Sequence, residues 1–138
     1  MATGETFPVE VLTPEGEVFS GEVVQVSTRT MVGEIGIQAN HAPVLAALKP
    51  TELRLHVSES DVESWAQAHG MMQVFGNRAQ LLVEEAIRPD ELDADALRRE
   101  LEDAEQRLQE CEEGSAAEKR AEKDRERVEK FLEIAGAS

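Results

Sequence analysis

The period of this chain changes once, at Arg88-Pro89-Asp90-Glu91, and that change limits what each side of it can become. Before it, apolar runs are short, alternate with polar residues and are broken by Gly, Pro, Asn or Ser, the pattern of an antiparallel sandwich or barrel. After it, glycine and β-branched residues thin out, roughly half of the residues are charged, and apolar residues recur at helical spacing. The expectation is a mainly β N-terminal domain over residues 1–88, an antiparallel β-sandwich, followed by an antiparallel two-helix hairpin over residues 89–138.

The runs of the first part are easily placed. Phe7 to Leu12 leads into the turn Thr13-Pro14-Glu15-Gly16, Val18-Phe19 leads into Ser20-Gly21, and Val23 to Ser27 sets Val24 and Val26 on one face. Gly33 to Leu48 reads as strand, turn, strand: Ile35 and Ile37 alternate with Glu34 and Gly36, and Asn40 through Pro43 stops the run and redirects the chain. Glycine allows close approach or positive φ and proline fixes φ, so Gly33, Gly36 and Pro43 are suited to presenting Glu34 and His41 in defined directions. Farther on, Leu53, Leu55 and Val57 alternate with Arg54 and His56, placing the first set inside and the second outside. Gly76-Asn77 is a hairpin signal before Ala79 to Val83. Short connections predict eight to ten antiparallel strands. With four Phe, one Trp and no Tyr, the core must rely on Val, Leu, Ile and Ala.

In the second part, Leu97, Leu101, Ala104, Leu108 and Cys111 make an alternating four-three stripe on a helix beginning near Asp93, with Gly114 as its end. Ser115-Ala116-Ala117-Glu118 has the spacing of a capping box and starts a second helix. That helix has a sparser stripe, Ala117, Ala121, Val128, Phe131, Leu132 and Ala135. Asp124 falls where an apolar residue would complete the heptad, so the hairpin is expected to be weakly held.

Charge and motifs exclude several classes of function. A net charge of −15 leaves no basic face to neutralise phosphates, so nucleic acid is not an expected partner. Cys111 is the single cysteine, which rules out an intrachain disulfide and a multi-cysteine zinc site. His41, His56 and His69 are scattered over separate runs, so no metal is expected. There is no phosphate-cradling Gly-x-x-x-x-Gly-Lys loop, no Gly-x-Ser-x-Gly elbow and no His-Glu-x-x-His, so neither a cofactor nor catalysis is expected. Glu84 and Glu85 are adjacent on a strand and would point to opposite faces, which does not suit paired acid/base work. Met1 to Thr6 lacks the basic and apolar regions of a signal, and no apolar run is long enough to span a bilayer. A soluble protein of a reducing cytoplasm is the expectation.

The wording "GEIGIQANHAPVLAALKP", after "VLTPEGEVFSGEVVQVS" and before "TELRLHV", resembles the epsilon subunit of F-type ATP synthases. The likeness runs colinearly from Val9 to about Ile87, and a charged two-helix tail of the right kind follows. It implies a non-catalytic β-sandwich at the foot of the rotor, bound to the gamma subunit and to the polar loops of the membrane ring. It also implies a peripheral position on the cytoplasmic face of the cell membrane and a part in coupling proton transport to ATP synthesis. Glu34 falls at the family's ring contact and His41 at its gamma-facing position. The helical pair resembles the family's regulatory arm, which extends along gamma toward the alpha and beta subunits and opposes ATP hydrolysis. One motif departs. Leu92-Asp93-Ala94-Asp95-Ala96-Leu97 lacks the arginine of the family's ATP-binding Ile/Leu-Asp-x-x-Arg-Ala, and Arg98 and Arg99 lie two and three residues on, turned by roughly 200° and 300°. Only Arg120-Ala121 looks similar, and no ATP site is carried over. Taken without the resemblance, the residues also fit a free-standing adaptor that dimerises through its heptad tail.

Overall fold

The computed structural model describes residues 4–136. Ten strands come first: β1 (Phe7–Thr13), β2 (Gly16–Val23), β3 (Gln25–Thr30), β4 (Gly33–Gln38), β5 (Val44–Leu48), β6 (Thr51–His56), β7 (Val62–Gln67), β8 (Gly70–Phe75), β9 (Arg78–Val83) and β10 (Ala86–Ile87). A 3-10 turn at Pro89–Glu91 and two helices, α1 (Ala94–Glu110) and α2 (Ala116–Ile134), follow. The chain divides after Arg88 into two compact units.

In the first unit, hydrogen bonding links the strands in the order β10-β7-β6-β3-β5-β8-β9-β1-β2, with β4 on the other side of β3. The link from β3 to β5 is a single pair, Thr30 with Leu48. There the ladder folds over, giving one layer of β10, β7, β6, β3 and β4 and another of β5, β8, β9, β1 and β2. Alternation decides which side chains meet between the layers: Val9 and Val11 from β1, Val26 from β3, Leu53 and Leu55 from β6, Met72 and Val74 from β8, and Leu81 and Val83 from β9 are all buried in one cluster. Arg54, between two of them, is exposed.

One pairing departs from the expectation of a wholly antiparallel sheet. β1 runs parallel to β9, with Val9 opposite Ala79 and Leu12 opposite Leu82. Short hairpins enforce antiparallel neighbours only along the sequence, and these two strands are joined by everything between them.

The layers also share a continuous ribbon. β7 pairs with β10 and β8 with β9, and between these ladders Ala68 N–H donates to the Glu85 carbonyl while Glu84 N–H donates to the His69 carbonyl, both at 2.9 Å. Two strands thus turn the same corner side by side. Gly70 sits at this bend, where a Cβ would stand 2.2 Å from the Leu82 carbonyl oxygen and 2.8 Å from Val83 Cα. Gln67, fully buried, satisfies the corner's polar groups: its Nε2 donates to the carbonyls of Lys49 (2.9 Å) and Ala68 (3.1 Å), and its Oε1 accepts from the Thr28 hydroxyl at 2.6 Å.

The exit from the sandwich is held by Arg88. Its guanidinium lies 3.8 Å from the centroid of the Trp65 ring and donates to Glu63 Oε1 at 2.9 Å. Because the strand ladder and this clamp both close before Pro89, we expect residues 1–88 to fold alone. The truncated chain should melt in one cooperative transition followed by circular dichroism. A broad, non-cooperative melt would show that the helices supply part of its core.

In the second unit, Asp93 caps α1 by accepting from Ala96 N–H, and Ser115 caps α2 by accepting from Glu118 N–H at 3.1 Å. Glu118 returns its carboxylate to the N–H of Gly114, one residue before the cap. The helices pack antiparallel against each other, and Leu97, Ala104, Ala121, Val128, Phe131 and Leu132 are buried. α1 ends at Glu110, ahead of Gly114. Asp124 is not merely a gap in the stripe. It accepts a 2.7 Å bond from Arg107, which also donates to Asp103, while Arg127 donates to Glu100 at 2.9 Å. Asp124 first and Asp103 second hold the Arg107 guanidinium above its ordinary pKa. Half-exposed pairs of this kind contribute about 0–1 kcal/mol each, so they align the helices more than they bind them.

Candidate functional site

Glu34 is carried by β4, which pairs with β3 along its whole length and, among the described residues, has no strand on its other edge. The side chain is exposed and stands opposite Arg29 in the ladder. Among the described residues no side chain forms an ion pair with it. The β3–β4 turn is set by Thr30, whose hydroxyl donates to the Gly33 carbonyl at 3.0 Å and accepts from Val32 N–H at 3.2 Å. Gly33, at φ 131°, completes a bend that a side chain would strain. This lifts Met31 and Val32 into solvent at 63% and 98% exposure. The tip therefore offers two apolar side chains beside a free carboxylate.

Inward of Glu34 lies an open recess of about 300 Å³, lined by Gln25, Ser27, Thr51, Glu52 and Arg54 among others. A row of hydrogen bonds crosses three strands beside it. Gln38 Nε2 donates to Gln25 Oε1 (3.2 Å), Gln25 Nε2 donates to Ser27 Oγ (3.0 Å), and Ser27 Oγ lies 3.2 Å from His56 Nε2. His56, expected on the surface, is half-buried in that row. Its partner lies three strands back in sequence, which alternation alone cannot foretell.

His41 is in the turn between β4 and β5, at the other end of β4 from the tip. Its Nδ1 is 2.7 Å from the Ala42 carbonyl. A carbonyl only accepts, so Nδ1 carries the proton and Nε2 is the nitrogen left for a partner. The structure does not bring Glu34 and His41 together: a six-residue strand covers roughly 20 Å, and they flank most of it. They are two separate positions, not one site.

Sequence reasoning missed a third feature. On the outer face of the second layer, Ala47, Met71 and Leu82 stand in one cross-strand row, with Met71 and Leu82 nearly half exposed and Leu45, one row over, at 72%. The signal was present in β5, where Val44-Leu45-Ala46-Ala47-Leu48 is apolar on both faces. No His/Cys/Asp/Glu group suited to a metal ion occurs among the described residues, and no described helix is long and apolar enough to cross a membrane.

A family model described as ATP synthase, Delta/Epsilon chain, beta-sandwich domain matches residues 6–89. The ATP synthase epsilon chain of Persephonella marina is 42% identical over 131 residues, covering 94% of this chain and 96% of that one. That of Sulfurihydrogenibium sp. is 36% identical over 131 residues, covering 95% and 98%. Among solved structures, a chain in the cryo-EM structure of the Euglena gracilis mitochondrial ATP synthase, OSCP/F1/c-ring, superposes with a TM-score of 0.77 at 23% identity, over 94% of this chain and 81% of that chain. A chain in the Tetrahymena thermophila mitochondrial ATP synthase central stalk and c-ring gives 0.66 at 18%, over 96% and 98%. At those identities the structural likeness speaks for the fold.

Proposed function

The chain belongs to the ATP synthase epsilon chain family, and from that membership we propose that it is a central-stalk rotor subunit, linking the gamma subunit to the polar loops of the membrane ring. It is a non-catalytic subunit of a membrane-associated complex. In this reading it lies at the cytoplasmic face, and the observation that carries its bridging role is the placement of Glu34 and His41 at opposite ends of β4. One position near the start of β4 and one in the turn that follows it let one domain hold two partners at a fixed separation. Glu34 meets the ring and His41 meets gamma.

The helical hairpin serves as the regulatory arm, extending toward the alpha and beta subunits to oppose ATP hydrolysis. Few large apolar side chains and half-exposed ion pairs join α1 to α2, which suits an element that must separate. Nucleotide binding is no part of this reading. Asp93, the aspartate of the broken motif, caps α1, and Arg98 bonds Asp95. Nor does the adaptor reading gain support, because the heptad stripe that would zip to a second copy lies in helices that pack on each other within one chain.

A pull-down from detergent-solubilised membranes tests the reading directly, with gamma and ring subunits expected in the eluate. Glu34→Gln refines it. Glu34→Arg would set two arginines opposite each other across the β3–β4 ladder, so removing the charge is cleaner than reversing it. Losing a charge-assisted bond of about 1.5 kcal/mol should weaken ring capture roughly tenfold while the melt of the free chain stays unchanged. Capture equal to wild type would remove Glu34 from the contact.

A further inference from the structure

At the His41 end of the sandwich, two turns distant in sequence are tied together. Asn77 Oδ1 accepts a hydrogen bond from the Asn40 N–H at 2.6 Å, and Asn40 Nδ2 donates to Glu5 Oε2 at 3.1 Å. Among the described residues, Asn40 and Asn77 are the two non-glycine residues with positive φ, at 62° and 58°. Each occupies a conformation disfavoured for L side chains and least so for asparagine, and each is bonded to the other.

The turn at Gly76-Asn77 explains only half of this. With φ positive at both positions it is the tight hairpin type that joins β8 to β9, and glycine would serve its second position as well as asparagine. What glycine lacks is an acceptor. The Asn77 side chain uses that acceptor on the backbone of another turn, 37 residues away in sequence. The bonded N–H belongs to the residue immediately before His41, and the turn closes two residues later at Pro43, whose ring fixes φ. His41 is thereby framed between a clamped amide and a stiff proline, with its own Nδ1 turned to the Ala42 carbonyl.

We propose that Asn77 is a positioning residue for the His41 contact: its side-chain carbonyl holds the Ala39–Pro43 turn in the one conformation that presents His41 Nε2 to the gamma subunit. The proposal rests on the assignment of His41 to gamma made above. In this role Asn77 acts through the Asn40 amide. Glu5, on the other side of Asn40, steadies the same residue through its side chain.

The test uses the full chain with Asn77→Gly, Asn77→Asp and His41→Ala. Glycine keeps the positive φ of the β8–β9 turn but deletes the acceptor, whereas aspartate retains an acceptor at the same place. Amide exchange by NMR reads the clamp in the free chain, and capture of recombinant gamma subunit reads the contact. Loss of one hydrogen bond should speed exchange of the Asn40 amide and weaken gamma capture, each roughly fivefold, in Asn77→Gly. Asn77→Asp should recover both, and His41→Ala should weaken capture without speeding that amide. Unchanged exchange in Asn77→Gly overturns the clamp. Faster exchange with undiminished capture, while His41→Ala still weakens capture, overturns the positioning role alone. Undiminished capture in His41→Ala overturns the assignment of His41, and the proposal falls with it.

Discussion

Gly70→Ala is expected to destabilise the sandwich by about 3–4 kcal/mol, beyond the range of ordinary overpacking. The added Cβ would stand 2.2 Å from the Leu82 carbonyl oxygen, 2.8 Å from Val83 Cα and 2.9 Å from Val83 Cγ1. Two of these three are backbone atoms of β9, so no side chain can rotate out of the way. Relief requires β8 and β9 to separate where both leave one layer for the other, and Gly70 pairs there with Val83 on one side and Leu48 on the other. Total stability for a unit of this size is on the order of 5–13 kcal/mol, so the substitution removes a large share of it. Urea unfolding reads the change as a lower midpoint at constant slope. A loss below about 1 kcal/mol would show that the corner can open and that close approach is not the reason for glycine.

The second large effect is expected at Gln67. Gln67→Leu keeps a similar volume but removes the side-chain partner of two buried polar groups, the Ala68 carbonyl and the Thr28 hydroxyl, and of the part-buried Lys49 carbonyl. Orphaning buried groups costs about 1–3 kcal/mol each when water cannot reach them, and partial relaxation brings the expected total to about 3 kcal/mol. Thr28→Val in the same background removes one orphan. The double variant should therefore be less destabilised than the sum of the two single variants by about 1 kcal/mol. Additive losses would mean that the Thr28–Gln67 bond contributes nothing of its own.

These two residues also mark where the sequence stopped being legible. Alternation located the strands because β6, for example, is buried on one face and solvated on the other, and Leu53, Arg54 and Leu55 report that directly. Gln67 follows no such rule. It is a polar residue that is buried because strands from different parts of the chain leave carbonyls unpaired at a corner, a fact of tertiary structure. Gly70 likewise reads as an ordinary turn signal, and only the approach of β9 makes its lack of a side chain essential.

In the candidate sites the division is similar. Glycine and proline around Glu34 and His41 announced a constrained surface, since backbone conformation is written in local residue types. Met31 and Val32 were invisible as a tip, because two apolar residues after Thr30 read equally well as more strand. Asp124 looked like a defect in a heptad because its partner, Arg107, lies on the other helix.

The parallel pairing of β1 with β9 has a consequence for the order of events during synthesis. Glu10 and Gln80, bonded to each other, are 70 residues apart, so the first strand emerges long before its neighbour exists and stays an open edge until Val83 is made. At roughly 5–20 residues per second, the residues from Glu84 to Ser138 take about 3–10 s to add. Sheet-rich domains close in milliseconds to seconds. If residues 1–88 fold alone, the sandwich is complete while the hairpin is still being translated, and the hairpin is added to a finished domain.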